Sequence, residues 1–508
     1  MALYGVEVVS PMPVEYDYPI KMGWRPRTHQ IQGSDFLAAN KYAYLFMGAG
    51  TGKTLTAAWA FDYLLKKKVV KRVLVITTLS TIYSAWAADL AENLPHLSFK
   101  VLVSSSSKKR KFLFRSKADV HIINHDGACL FWKDLAVNDY DLIVVDESTA
   151  IKNVDTRRFK GIQNLKFNCN SPRVWLMTAT PCAQSPEDAF GQIVLVSNVD
   201  HSGNRCPPAH IVGPTFMSKK RWRDLVTDQT GAGPFAKRVA KADANDTVFR
   251  YMRPVFSRRT RDCVDLPPEI ILPTPECNPT KEMVAAWKSI QQNGYYEKGD
   301  KKAVVENAPA TLSKVLQIAS GFVYADVESG YEDDTSNVGE RPVIHLGNPE
   351  KNEELLNHIR EAEGKVIVYV PFTAAIEMVD RFLMSRGIRT VRVYGNLSPK
   401  EVHKRINVRF QSDDPDSPQV IVAQPEKMSH GITATKATLT VWYGPIMRGE
   451  VYQQANMRMA RLGQTRTQFI VHLSSCTTEK RRYAQLRANH NRQQDFMALY
   501  NEFKRGVF

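Results

Sequence analysis

"YAYLFMGAGTGKTLTAAWAFDYLL", residues 42–65, decides how this chain is read. Its first five residues (42–46) have strand character, and residues 54–65 space apolar side chains as a helix does. Between them lies a glycine-rich turn ending in Gly52, Lys53 and Thr54. A phosphate-binding loop of the form G-x-x-x-x-G-K-[ST] would put its first glycine where Met47 stands. That glycine mainly eases a turn, so Met47 weakens the pattern without abolishing it. Gly48, Gly50 and Gly52 leave room for a phosphate to approach the backbone N–H groups and the helix N-terminus. Gly48, Ala49, Gly50, Thr51, Gly52, Lys53 and Thr54 are therefore the candidate nucleotide-binding loop, with Lys53 at the β/γ end. The bland alternative is a glycine-rich turn of no consequence.

Context argues against that alternative. "DLIVVDESTAIKN" (141–153) is a hydrophobic strand ending in two adjacent carboxylates, Asp146 and Glu147. Downstream of a Gly-Lys-Thr loop, the first carboxylate helps hold Mg²⁺ together with Thr54, and the second orients and deprotonates the attacking water. Mg²⁺–ATP hydrolysis is the expected chemistry.

Further apolar runs set the fold. "RVLVITTLS" (72–80), "VHIIN" (120–124) and "RVWLMTAT" (173–180) join residues 141–147 as buried strands separated by helical stretches. A second set follows at 365–370, 390–395, 419–424, 439–444 and 468–473. Such alternation predicts an α/β fold with two parallel-sheet lobes, each covered by helices. Residues from about 200 to 345 are richer in Pro, Gly and charge, with helical pieces such as "KEMVAAWKSIQQ" (281–292). The expected division is a first lobe over 1–200, a helical insertion and linker over 201–345, a second lobe over 346–480, and a C-terminal helical tail over 481–508. Residues 326–342 read as a surface loop.

Composition bounds the partners. With 68 Lys+Arg against 52 Asp+Glu, the 508-residue chain carries a formal charge of +16. A surplus of that size favours a polyanion, nucleic acid first. Basic runs at 66–72, 104–117, 218–223 and 258–261 are each, taken singly, solvated faces by default. The seven cysteines form no C-x-x-C pair, which fits neither zinc-ligand spacing nor a dense disulfide framework. The N-terminus has no signal sequence and no apolar run is long enough to span a bilayer, so an intracellular soluble protein is expected.

A third piece lies far downstream. "QQANMRMARLGQTR" (453–466) sets Arg458 and Arg461 three apart, on one face if the segment is helical. They read either as an ordinary basic helix or as arginine fingers for the γ-phosphate.

Taken together, these residues resemble the superfamily 2 helicases and, within them, the Swi/Snf-type DNA translocases. "RPRTHQIQGSDFL" (25–37) is similar to the family's first motif, which implies that Gln30 contacts adenine. In the family the first Walker glycine is commonly replaced, as Met47 replaces it here. "VLVITTLSTIYSAW" (73–86) resembles the strand and loop that touch the DNA backbone, and "LMTATP" (176–181) resembles the motif that couples hydrolysis to domain movement through Thr178 and Thr180. "RPVFSRRTRDCVDLPP" (253–268) resembles the segment crossing between lobes. "QANMRMARLGQ" (454–464) agrees with the final motif at Gln454, Arg458, Arg461 and the closing Gly-Gln. In "SHGITATKAT" (429–438), Gly431 is kept but Thr433 takes the place of the family's asparagine.

The resemblance implies two RecA-like lobes, ATP and Mg²⁺ as cofactors, Lys53, Asp146, Glu147, Arg458 and Arg461 as the catalytic set, and Gln30 and Gln454 beside the nucleotide. Nucleic acid is expected along the strand ends carrying Thr78, Ser80, Asn124, Gly395 and Gly431, through phosphate contacts that tolerate any sequence. The track is expected to be DNA, duplex or branched, with RNA a weaker choice and no membrane partner. The compact form is similar to stand-alone bacterial and phage enzymes, which implies the cytoplasm, the nucleus remaining open. Two alternatives stand beside the translocase: a helicase that separates strands on single-stranded DNA or RNA, and an ATPase-inactive scaffold that binds nucleic acid.

Overall fold

The computed structural model describes residues 11–19, 25–104, 106–182, 185–196, 218–231, 237–263, 266–326, 342–395, 397–428, 432–461 and 463–488. They divide into two compact units, one up to residue 263 and one from residue 266.

The first unit contains β1 (Tyr42–Met47), β2 (Val73–Thr77), β3 (Phe99–Val101), β4 (Val120–Asn124), β5 (Leu142–Asp146), β6 (Arg173–Thr178), β7 (Thr227–Thr230), β8 (Lys237–Ala240) and β9 (Val255–Arg258). Seven of these form one sheet in the order β3-β4-β2-β5-β6-β1-β9, and every pairing is parallel. Side-chain alternation explains why β1 must be apolar throughout. Tyr42, Tyr44 and Phe46 enter the core on one face of the sheet, while Ala43, Leu45 and Met47 enter the core on the other. β7 and β8 form a separate antiparallel ribbon.

The second unit contains β10 (Glu269–Ile271), β11 (Tyr295–Lys298), β12 (Lys301–Val304), β13 (Phe322–Tyr324), β14 (Val343–His345), β15 (Lys365–Tyr369), β16 (Thr390–Val393), β17 (Val420–Ala423), β18 (Ala437–Trp442) and β19 (Gln468–His472). Its main sheet, β10-β19-β18-β15-β17-β16, is also parallel and two-faced: Ile367 and Tyr369 serve one core, Val366 and Val368 the other. The fold is therefore α/β with two parallel-sheet lobes.

The stretch between the lobe sheets mixes helices with two-stranded ribbons, β11–β12 and β13–β14. Its helix Lys281–Asn293 starts where Thr280 accepts a hydrogen bond from the Met283 amide and stops at left-handed Gly294. Met283, Ala286 and Ile290 make its buried stripe. The crossing segment at 253–268 is partly strand, since β9 extends the first sheet beside β1. Most of the acidic loop at 326–342 lies outside the described residues. Among the described residues, no helix is long and apolar enough to cross a membrane.

Candidate nucleotide-binding site

Parallel pairing brings the carboxyl ends of β1, β2, β4, β5 and β6 to one edge of the first sheet, the edge where α/β sheets take ligands. Phe46 is level with Thr178, Asp146 with Met177, and Thr77 with Asn124. The glycine-rich loop leaves that edge after β1 and feeds helix Lys53–Lys66. Gly50 and Gly52 are left-handed, at φ +76° and +80°, which is why glycine stands at both. Gly48 has a different reason: a Cβ there would collide with the Thr260 hydroxyl and sit 2.7 Å from the Thr260 amide.

Several bonds hold the loop's shape. Thr51 Oγ1 donates to Gly48 O (2.7 Å), Thr260 Oγ1 to Ala49 O (2.9 Å), and the Gly48 amide to Arg258 O (2.9 Å). His29 Nε2 lies 2.9 Å from Thr51 O. A carbonyl only accepts, so this ring carries its proton on Nε2. Burial lowers the pKa of His29, which keeps the ring neutral. Lys53 Nζ donates back to Met47 O (2.8 Å) and Gly48 O (3.3 Å), at the mouth of the loop. Gln30, 3% exposed, accepts from the Arg27 amide (3.0 Å), and its Nε2 lies 3.5 Å from Gly52 O. The residue expected at the adenine thus also braces the phosphate loop.

Asp146 ends β5 in a crowded setting. Its Oδ2 accepts from Thr77 Oγ1 (3.0 Å) and from Trp86 Nε1 (2.9 Å), and its Oδ1 accepts from the Glu147 amide (3.0 Å). Burial, then the adjacent Glu147, pushes the Asp146 carboxyl upward, while Trp86, Lys53 and Thr77 pull it back. His125 Nε2 donates to Asp146 O (2.9 Å), and burial holds that ring neutral with a pKa of about 4. Glu147 is itself left-handed (φ +50°), an unusual conformation for a side chain of its size and one concentrated at functional sites. Thr178 Oγ1 donates to Glu147 Oε2 (3.3 Å), and the Thr180 amide to Thr178 Oγ1 (3.1 Å). Among the described residues, the Thr180 hydroxyl, 2% exposed, has no hydrogen-bond partner.

The donor set suits a phosphate-bridging cation. Thr54 and Asp146 offer hard oxygens, yet among the described residues no group of three or more His, Cys, Asp or Glu could hold a metal alone. Mg²⁺ fits that situation, since it normally combines one or two carboxylates with waters and substrate phosphates.

In the second unit, helix Gly449–Asn456 ends before either arginine. Arg458 and Arg461 therefore do not share a helix face; both sit in the turn that follows. Arg458, 3% exposed, donates through Nε to Gln454 O (2.8 Å) and through Nη1 to Ile432 O (3.1 Å). Arg461 donates through Nη1 to Thr433 Oγ1 (3.2 Å), while its buried Nε has no partner among the described residues. Burial, then Arg458, lowers the Arg461 pKa. Gln454 is buried on the preceding helix.

Of the expected nucleic-acid positions, Thr78, Ser80 and Asn124 lie at the carboxyl ends of β2 and β4, and Gly395 (φ +67°) follows β16. Gly431 lies outside the described residues. Thr77, Trp86, His125 and Thr260 belong to the site but escaped the sequence reading. Their partners are distant in sequence, and no local pattern marks them.

Two family models match the chain: the type III restriction enzyme res subunit over residues 24–183 and the helicase conserved C-terminal domain over residues 350–463. A CHD3-type chromatin-remodeling factor of Arabidopsis thaliana is 21% identical over 91% of this chain and 36% of its own length. An uncharacterized ATP-dependent helicase of Bacillus subtilis is 20% identical over 73% of this chain and 62% of its own. The chain thus spans between about a third and just under two thirds of these relatives. The Sulfolobus solfataricus SWI2/SNF2 ATPase core solved with dsDNA is 18% identical, covering 92% of each chain at a TM-score of 0.40.

Proposed function

We propose that this chain, which belongs to the superfamily 2 helicases of the Swi/Snf type, is an ATP-driven motor that moves along DNA. The observation that carries the reading is the meeting of three elements at one sheet edge. These are the left-handed phosphate loop, the buried Asp146 beside Glu147, and Thr178 bonded to Glu147.

Lys53 and the loop amides bind the β- and γ-phosphates, and Gln30 contacts the base. Thr54 and Asp146 would hold Mg²⁺, which when bound would neutralise charge on the phosphate oxygens. Glu147 takes the proton of the attacking water, with Thr178 fixing its carboxylate. We assign Arg458 and Arg461 to the charge that spreads over the transferring phosphoryl group. Thr178 and Thr180 link this chemistry to movement. Thr78, Ser80, Asn124, Gly395 and Gly431 are assigned to the DNA backbone, which is duplex or branched and bound without regard to sequence. The basic surplus of the chain supports a polyanionic track.

The test is steady-state ATP hydrolysis without polymer, then with duplex, forked and single-stranded DNA and with RNA, at two salt concentrations. Stimulation by duplex or forked DNA that weakens as salt rises is the expected result. Stimulation by RNA or single strands alone would overturn the track. Absence of turnover throughout would favour a nucleic-acid-binding scaffold, and Glu147→Gln distinguishes them further: a motor loses turnover and keeps ATP and DNA binding.

A further inference from the structure

The segment that follows β2 is tied to Asp146 at both ends. At its start, Thr77, fully buried, donates to Asp146 Oδ2. At its far end, Trp86, also fully buried, donates to the same oxygen from the π-helix Ile82–Ala87. π-Helical turns are rare and concentrate at functional sites. The outer side of the same segment faces solvent, with Leu79 and Tyr83 exposed at 49% and 56%.

Between these two sides runs a chain of hydroxyls. Thr77 Oγ1 lies 2.7 Å from Thr81 Oγ1, Thr81 Oγ1 2.8 Å from Thr78 Oγ1, and Thr78 Oγ1 3.0 Å from Ser80 Oγ. A hydroxyl has one proton to give. A carboxylate only accepts, so Thr77 spends its proton on Asp146 and must accept from Thr81. Thr81 must then accept from Thr78, and Thr78 from Ser80. With Thr81 turned to Thr77, every proton in the chain points toward Asp146. Thr81 also has a second outlet, since Thr78 O lies 3.1 Å from its Oγ1.

We propose that these four hydroxyls form a relay by which a nucleic-acid phosphate at Thr78 and Ser80 changes the hydrogen bonding of Asp146. A phosphate oxygen, like a carboxylate, only accepts. When Thr78 and Ser80 turn their protons outward to it, Thr81 loses its incoming donor and is free to swing to Thr78 O. The support that Thr77 receives from behind is then withdrawn, and the ATP site registers the occupied track. The relay rests on reading Asp146 as the carboxylate of an ATP site. Thr81 is its positioning residue: it touches neither nucleotide nor nucleic acid.

The test uses Thr81→Val and Thr81→Ser in the full chain, with duplex DNA as the probe. Thr81→Val lacks the donor to Thr77, so its polymer-free turnover is expected to shift toward the duplex-bound level, while its KM for ATP and duplex affinity match the wild type. Stimulation by duplex is expected to fall at least about fivefold, the lower end of ordinary coupling between sites. Thr81→Ser, which keeps the hydroxyl, is expected to restore it. Full stimulation in Thr81→Val would overturn the relay alone. So would a parallel loss of basal turnover and melting temperature that serine does not rescue. A wild-type protein that hydrolyses ATP but ignores every polymer would overturn both the relay and the motor reading.

Discussion

Gly52→Ala probes the phosphate loop and its brace at once. At φ +80° an alanine pays the left-handed penalty of about 1–2 kcal/mol. Its Cβ would also lie far inside contact with Gln30 Nε2 and 3.2 Å from Gln30 Cδ, so Gln30 has to move. Moving it breaks the 3.0 Å bond from the Arg27 amide, worth about 1 kcal/mol. The sum, about 2–3 kcal/mol, corresponds to a loss of about 30- to 150-fold in ATP affinity if binding needs the loop as it stands. Gln30→Ala separates the two parts, because it removes both the collision and the bond. In that background Gly52→Ala should cost only the left-handed share, a coupling of about 1 kcal/mol. Titration with a fluorescent ATP analogue on the four proteins of the cycle measures it. Equal losses in both backgrounds would refute the brace, and undiminished affinity in Gly52→Ala would refute the whole account of the loop.

Two further outcomes concern stability. His121 on β4 is fully buried, 2.7 Å from the Tyr140 hydroxyl, and burial holds its pKa at about 4. Below pH ~6.5 the unfolded chain takes up a proton that the folded ring refuses. Its contribution is therefore complete above that pH and is lost as pH falls toward 4, by up to about 3 kcal/mol. Urea unfolding at pH 5 and 7 should show a smaller difference for His121→Gln than for the wild type; an unchanged difference would exclude His121 as a source of the acid sensitivity. In the second unit, Lys351 Nζ lies 2.8 Å from Glu479 Oε1 with both side chains fully buried. Lys351→Met should destabilise by about 3–5 kcal/mol in chemical unfolding, because it strands the carboxylate, and adding Glu479→Leu should recover part of that; a double variant worse than the single would contradict this.

The lobe sheets are legible in the sequence because their strands are buried on both faces. That condition forces uninterrupted apolar runs such as residues 73–76 and 142–145. β3 and β10 leave no such run, since they are short and partly exposed, and their neighbours' backbone pairing makes them strands. The same contrast holds in the site. Gly52, Lys53, Asp146 and Glu147 announce themselves because the phosphate and metal chemistry proposed for them restricts the residue types allowed. Trp86 and Thr77 do not, because their role is a bond to a residue 60 or 69 positions away. Spacing suggested one helix face for Arg458 and Arg461, but that holds only where the helix persists, and this one stops at Asn456.

The loss of that shared face makes the two arginines physically unequal. Arg458 spends donors on the carbonyls of Gln454 and Ile432, which locks the turn to the preceding helix and to the segment after Gly431. Arg461 is bonded to the Thr433 hydroxyl, and its buried Nε has no acceptor among the described residues. A buried donor without an acceptor costs free energy that a bound anion would recover. The lowered pKa of Arg461 has the same origin, since burial and Arg458 both oppose its charge and an incoming phosphate would offset both. On the proposed function Arg461 is thus the arginine with affinity in reserve, while Arg458 spends donors on the turn itself. Thr433, where the family resemblance would have asparagine, supplies the hydroxyl that aims it.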